Sequence, residues 1–208
     1  MILESLSRET NAFEGKLYKI IDHPLVDDSE RIRVSDIVVR LSFEHWAGVR
    51  ELMRNELVIS SVVILRTQFE ALVKSIWLLY SATDNQVEKL AENLSPESEQ
   101  AAKNFPTTNQ MMADLEKTAP ENAYAPLKEF KDNSWKALNS FAHSGIHPIK
   151  RREQGRWTIS FLEQVFRQSN GLATLCGFQA AILRGRQPLQ KEIIALTEEY
   201  NLCFTLRN

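Results

Sequence analysis

Apolar residues recur every three or four positions along most of the chain, and polar residues occupy the other side of the same turns. This period is typical of amphipathic α-helices. No stretch alternates apolar and polar residues for long enough to indicate a β-strand. The prolines fall between the periodic segments and separate them. The pattern therefore predicts an all-α protein.

The long periodic segments predict the helices of the core. The most apolar of them, residues 57–81, predicts a central buried helix that is either capped by Asn55 or continuous with the helix before it. Ser35 is predicted to cap that preceding helix, which runs to about Arg54. The other long helices are expected at residues 3–21, 126–143, 160–183 and 189–206. We expect them to pack roughly antiparallel in a bundle, as a single domain over residues 1–208.

The middle of the chain, about residues 84–122, is polar and interrupted by proline. Short helices are predicted there at residues 87–93, 96–104 and 108–117. We expect this region to form an insertion or a flanking helical layer on the bundle. No internal repeat, low-complexity tract or flexible linker divides the sequence.

The composition is that of a globular chain, with 208 residues, 43% of them hydrophobic and 25% charged, and a formal net charge of −2. These values exclude a disordered chain and a globally basic nucleic-acid binder, although they allow a local basic patch. No apolar stretch is long enough for a membrane span or a signal peptide, so we expect a cytoplasmic protein without membrane contact. Cys176 and Cys203 lie in apolar helical patterns and are predicted to be core thiols.

A charged pair interrupts the most apolar segment. Arg66 and Glu70 are four residues apart, so they share one face of the predicted helix with apolar residues such as Val62 and Val73. Buried charges are costly unless they are paired and hydrogen-bonded. The pair is either part of a polar pocket, in which Arg66 grips an anion or orients a partner group, or a structural ion pair that bridges helices.

A second candidate site lies at the end of the helix predicted over residues 126–143. Asn139 and His143 are four residues apart, and Gly145 and Pro148 end the helix directly after them. The helix dipole favours the charged form of a histidine in a last turn, which suits an acid/base or phosphate-binding group. The alternative is a histidine that caps the last carbonyl groups.

The densest basic cluster follows this turn. It contains Lys150, Arg151, Arg152 and Arg156, and Trp157 comes directly after it. Adjacent cations and an aromatic ring suit the binding of a phosphate backbone and a stacked base, so the cluster and His147 are candidate nucleic-acid-binding residues. The alternative is a solvated basic turn over residues 144–157.

No metal site or cofactor is expected. His143 and His147 have a gap that metal ligands use, but the predicted turn between them and the lack of a third ligand at characteristic spacing argue against a metal ion. The sequence also lacks a Gly-rich phosphate loop, a nucleophile elbow and a kinase signature. Nucleotide-dependent enzymes of the common types are therefore not indicated.

The segments ILRTQFEAL around Arg66 and NSFAHSGIHP around His143 together resemble the all-helical HEPN superfamily (higher eukaryotes and prokaryotes nucleotide-binding). They resemble more closely the uncharacterised bacterial helical proteins related to it. The likeness covers roughly residues 35–81 and 126–183. It implies a helical bundle that dimerises and, as in many members, a metal-independent RNase of toxin–antitoxin or antiviral defence systems.

The active site of that superfamily is an Arg, then a polar residue, then a His a few positions later, and two copies meet across a dimer cleft. Asn139 matches the polar position and His143 the His, but Leu138 stands where the Arg is expected. Either another cation takes over the stabilisation of phosphate charge, or this chain lacks the nuclease activity. The candidates for such a cation are Arg66, Lys136 and Arg151.

The resemblance thus predicts a metal-independent RNase or an RNA-binding toxin or defence component. His143 would act as acid or base, with Asn139 and the Arg66/Glu70 pair completing the site. The implied partners are a second copy of the chain, RNA, and a cognate antitoxin or other protein. The alternative is a non-catalytic helical interaction or regulatory module, in which His143 is a cap and Arg66 and Glu70 are a structural pair. A small-ligand pocket in the bundle core is a third hypothesis.

Overall fold

The periodic segments of the sequence fold into helices in the computed structural model, which describes residues 2–102, 104–155 and 157–204. These ranges hold ten α-helices and a short 3-10 helix, Asn201–Cys203, and no strand lies within them, so the predicted all-α fold is confirmed. None of the described helices is both long enough and apolar enough to cross a membrane. The α-helices are α1 (Ile2–Ile21), α2 (Glu30–Arg54), α3 (Val58–Tyr80), α4 (Asp84–Ala91), α5 (Pro96–Ala102), α6 (Thr108–Thr118), α7 (Glu121–Ala142), α8 (Ile146–Gln154), α9 (Ile159–Leu183) and α10 (Leu189–Glu199).

The long helices pack roughly antiparallel, as the sequence predicts. At the centre of the bundle, Ser61 Oγ donates to Val49 O (3.0 Å) near one end of the α2–α3 pair, and Ser75 Oγ donates to Ser35 O (2.8 Å) near the other. Residues later in α3 therefore contact residues earlier in α2, so the two helices run antiparallel. The helices α1 and α9 also run antiparallel to α2, and α7 runs antiparallel to α3.

Buried polar side chains inside the core bond to one another across helices. Asn170 Nδ2 donates to Thr10 Oγ1 (3.0 Å) and to Cys203 O (3.1 Å), while its Oδ1 accepts from Trp46 Nε1 (2.9 Å). Because these bonds join α1, α2, α9 and the C-terminal 3-10 helix, they fix how the helices are aligned. Cys176 and Cys203 are free and buried, which confirms the predicted core thiols.

Two of the predicted helix bounds are wrong. The helix α7 begins at Glu121 and contains Pro126, and α10 ends at Glu199.

Two of the predicted helix caps are wrong as well. Ser29 caps α2 by accepting from Ile32 N (3.4 Å), and Ser35 is buried inside the helix, because the apolar face already begins at Ile32. Asn55 is the C-cap of α2 and not the N-cap of α3. Glu56 then takes a positive φ of 59° and turns the chain, so α2 and α3 are not continuous.

The polar middle of the chain forms the predicted short helices. Both α4 and α6 begin with a capping box, formed by Thr83 with Gln86 and by Thr107 with Gln110.

The helix α6 packs on α3, where Trp77 Nε1 donates to Asp114 Oδ2 at 3.1 Å. The polar middle of the chain is therefore a flanking helical layer, in which α6 lies against α3 and α4 lies against α2, where Arg31 Nη2 is 2.7 Å from Asp84 Oδ1.

Candidate nucleic-acid interface

The basic segment after His143 folds as the helix α8, so the predicted basic turn over residues 144–157 is wrong. Gly145 allows the sharp corner between α7 and α8, because a Cβ there would lie 2.7 Å from Ser140 Oγ and 3.2 Å from Ser140 O. Ser140 Oγ also accepts from His147 N (3.1 Å) in the first turn of α8. Pro148 lies in this first turn, where the missing N–H costs no helical bond, so it starts a new helix as well as ending the old one.

His143 is the C-cap of α7, and its backbone N–H donates to Asn139 O at 3.1 Å. The imidazole is exposed and forms no hydrogen bond or ion pair with a described residue, while Asn139 is half-buried one turn earlier. His147 is exposed on α8, with its ring centroid 6.2 Å from that of Phe141. Within the described ranges, no three His, Cys, Asp or Glu side chains are arranged to hold a metal ion. The His143 imidazole is thus open to a ligand.

Arg66 and Glu70 form an ion pair, with 2.9 Å between Arg66 Nη2 and Glu70 Oε1 and side chains 19% and 28% exposed. Arg66 Cζ also lies 5.2 Å from the centroid of the Trp135 ring in α7. Trp135 precedes His143 by two turns, which is about 12 Å along a helix axis. These contacts support the structural interpretation of the pair, because Arg66 is held away from His143 within one chain.

The two other candidate cations, Lys136 and Arg151, make no described contact with His143 either. Leu138 is buried, as expected for an apolar residue facing the core. Lys136 is exposed on α7, and Arg151 Cζ lies 5.1 Å from the centroid of the Phe161 ring in α9. Among the described contacts of a single chain, none joins any of these cations to His143.

The basic residues of α8 differ in their surroundings. Lys150 Nζ lies 2.8 Å from Glu153 Oε2, so its charge is partly neutralised at the surface. Arg152 is exposed and lines a cleft at the end of α8, together with Trp157. Arg156 lies outside the described residues. The structure therefore brings one arginine of the predicted cluster and the aromatic residue after it to the same concave surface.

This cleft has a volume of about 960 Å³ and lies where the ends of α1, α2, α8 and α9 meet. Arg8 from α1 and Arg54 from the end of α2 line it opposite Arg152. Arg54 Nη1 is 3.0 Å from Glu51 Oε1, whereas Arg8 and Arg152 form no ion pair with a described residue. Two carboxylates, Glu4 and Glu56, also line the cleft. Among the described residues, its walls therefore carry three arginines against two carboxylates.

A row of stacked rings connects the cleft with the α7–α8 corner. Trp157 and Phe161 stack at 5.3 Å between centroids, and Phe161 and Phe141 stack at 6.2 Å. The His147 ring continues the row beyond Phe141, tilted by 33°. The row thus connects the cleft with His147 on one packed surface, which we call the α8 surface: Arg8, Arg54, His147, Arg152 and Trp157. His143 lies beside it in the chain, as the C-cap of α7.

Arg8 and Arg54 were not predicted as site residues. Each is a single exposed arginine in an amphipathic helix and belongs to no basic cluster or motif in the sequence. Both line the cleft only because the first half of α1 and the last turn of α2 lie next to α8 in the bundle. They can be identified as site residues only from the packing of the helices, because no local sequence pattern marks them.

A family model described as a family of unknown function (DUF6988) matches residues 39–206. The matched span starts inside α2 and includes every later helix, so Arg54 and Arg152 lie within it and Arg8 lies outside it. No curated protein and no solved structure matches the chain. Function must therefore be argued from the α8 surface itself.

Proposed function

We propose that this chain, which belongs to the DUF6988 family of unknown function, binds single-stranded RNA at the α8 surface. The observation that supports this most directly is the convergence of Arg8, Arg54 and Arg152 from three helices on one cleft that also presents Trp157. Guanidinium groups suit phosphate oxygens, which they contact through two N–H donors. Trp157 is half-buried and stacks on Phe161, and the part of its indole that lines the cleft offers a surface for an unpaired base.

The charge balance of the cleft sets the kind of binding that we expect. Glu4 and Glu56 oppose the three arginines, and the whole chain carries a net charge of −2. Long-range attraction of RNA is therefore weak, and affinity depends on local contacts in the cleft. We expect binding that weakens steeply as salt concentration rises, and weaker binding of duplex RNA, whose bases are not free to stack.

Cleavage is the second part of the proposal, and it centres on His143. Its exposed imidazole can take the proton of a ribose 2′-hydroxyl, whose oxygen then attacks the adjacent phosphorus. The bond from phosphorus to the 5′-oxygen of the next nucleotide breaks, and that oxygen takes up a proton. The products are a 2′,3′-cyclic phosphate and a 5′-hydroxyl. Asn139 would orient the phosphate, and a cation would offset its charge in the transition state.

We place that cation on a second copy of the chain, as the resemblance to the HEPN superfamily implies. The α7–α8 corner carries two exposed apolar side chains, Ile146 and Ile149, which are 60% and 56% exposed. Such residues beside His143 suit the contact surface of a homodimer. In this proposal the protein acts in the cytoplasm as a toxin or defence component with a cognate antitoxin, and its free, buried cysteines fit a reducing compartment.

Fluorescence anisotropy with a labelled single-stranded RNA tests the binding proposal. Arg152→Gln should weaken binding several-fold, because the side chain contributes a phosphate contact. Arg186→Gln is the matched control, since Arg186 is also exposed but lies at the opposite end of α9. Equal affinity of the wild type and Arg152→Gln would refute the proposed site, and a preference for duplex RNA would refute the stacking role of Trp157.

The alternative function is a non-catalytic interaction or regulatory module. The exposed Ile146 and Ile149 and the locked Arg66/Glu70 pair favour it, because they offer an apolar contact surface without a free catalytic cation. Light scattering after size-exclusion chromatography tests the surface directly. An interface at α8 predicts that Ile149→Asp shifts a dimer toward monomer, whereas an unchanged mass excludes Ile149 from the contact.

A further inference from the structure

A second cavity lies at the end of the bundle opposite the α8 surface. It has a volume of about 420 Å³, within the range of small-molecule sites in proteins. The last turn of α1, the first half of α2 and the end of α9 enclose it. The proposed RNA site shares none of its lining residues.

A buried carboxylate beside this cavity is held by two arginines. Asp36 is 5% exposed, and its Oδ2 lies 2.7 Å from Arg40 Nε while its Oδ1 lies 3.1 Å from Arg184 Nη1. One negative charge therefore faces two positive charges. The Arg184 side chain is only 9% exposed, and its Nε has no hydrogen-bond partner among the described residues. The group carries a surplus positive charge at the wall of the cavity.

The rest of the wall is mainly apolar. Val39, Phe43 and Ala180 are buried and line the cavity below the charged group. At its mouth, Tyr18 packs edge-on against Phe43, with 5.4 Å between ring centroids. Partial burial raises the pKa of Tyr18 to about 12, so its hydroxyl is a neutral donor at physiological pH.

Two exposed charges of opposite sign complete the rim, Lys19 and Asp22. They cancel each other, so the surplus of one positive charge from the Arg40–Asp36–Arg184 group determines the charge of the site. A ligand that carries one negative charge neutralises this surplus. A dianion would instead bring one negative charge more than this surplus to a mainly apolar wall.

We infer that this cavity binds a small monocarboxylate with a short apolar body. The carboxylate faces Arg40 and Arg184, and the apolar body lies against Val39, Phe43 and Ala180. Arg40 is 68% exposed, so it is free to turn toward a ligand while Arg184 keeps hold of Asp36. This site is independent of RNA binding and does not rest on it.

Three probes separate the elements of this proposal. Sodium octanoate carries both the charge and the apolar chain, 1-octanol carries the same chain without the charge, and inorganic phosphate carries charge without the chain. Backbone amide shifts in ¹H–¹⁵N NMR spectra report where each probe binds. We expect saturable octanoate shifts confined to residues around Tyr18, Asp36 and Ala180, and neither saturable octanol shifts nor phosphate shifts at this site.

Variants of the full chain then test the charge. Arg40→Gln should weaken octanoate binding about fivefold, because it removes an exposed cation from the carboxylate. Arg33→Gln on the same helix is the control, since Arg33 pairs with Glu30 instead, and it should leave the affinity unchanged. The inference is overturned by absent octanoate binding, by octanol binding of equal strength, or by equal affinities of wild type and Arg40→Gln. Spectra of the free variants check that each one is folded.

Discussion

The guanidinium of Arg66 lies over the indole of Trp135, with 5.2 Å between the guanidinium carbon and the ring centroid. This contact joins α3 to α7, and the ion pair with Glu70 holds the same guanidinium from the other side. Arg66 is therefore held by structural partners at its Nη2 atom and its face, while its buried Nε has no hydrogen-bond partner among the described residues. A charged residue in an apolar stripe suggests a catalytic cation, but here it connects two helices.

Replacing Arg66 with methionine should lower the free energy of unfolding by about 1–2 kcal/mol, because the cation–π contact and the ion pair are lost while the apolar stem stays. Chemical denaturation followed by circular dichroism measures this. RNA affinity should not change, because Arg66 lies outside the α8 surface. A variant of normal stability with impaired RNA binding would instead make Arg66 a ligand contact.

Replacing Gly145 with alanine should destabilise the protein by about 1–3 kcal/mol, because the new Cβ would lie 2.7 Å from Ser140 Oγ and close to the Ser140 backbone. The matched control is Gly171→Ala in α9, where the added Cβ would have no atom within 4 Å apart from its chain neighbours and the backbone of its own helix. That variant should be neutral or more stable, by up to about 1 kcal/mol. Equal midpoints of thermal unfolding for the two variants would contradict the described α7–α8 corner.

Stability should fall as pH rises above about 9, because burial raises the pKa of the Cys176 thiol to about 12. An unfolded thiol ionises near pH 9 while the folded thiol keeps its proton, so the unfolded state binds fewer protons and is favoured. For this group the slope reaches about 1.4 kcal/mol per pH unit. Urea unfolding at several alkaline pH values should show a shallower loss in Cys176→Ala. Parallel curves would mean that the thiol does not contribute.

If His143 is the acid/base group, RNA cleavage in the presence of EDTA should be lost in His143→Ala. His45→Ala on α2 is the control for the loss of an imidazole elsewhere, and it should cleave like the wild type. Products with 2′,3′-cyclic phosphate ends should accumulate first. Cleavage of equal rate by His143→Ala would remove the catalytic role of this residue and would leave RNA binding without cleavage.

The sequence predicts the helical fold well because apolar residues recur every three or four positions, and this pattern is visible within each short segment. The core thiols and the Arg66/Glu70 pair follow from the same period. The sequence wrongly predicts a basic turn because Gly145 and Pro148 are both typical of a helix end. A proline in a first turn also begins a helix, as Pro148 does in α8. That Arg8 and Arg152 line the same cleft could not be predicted, since it depends on how the helices pack in the bundle.

The salt dependence of RNA binding tests the central claim most directly. For a single strand, each phosphate contact contributes about −0.7 to the slope of log K against log salt concentration. The Arg8→Gln/Arg152→Gln double variant should therefore bind with a slope that is shallower by about 1.4, whereas Arg186→Gln should keep the wild-type slope. Identical slopes for the wild type and the double variant, or no RNA binding by the wild type, would contradict an RNA site at the α8 surface.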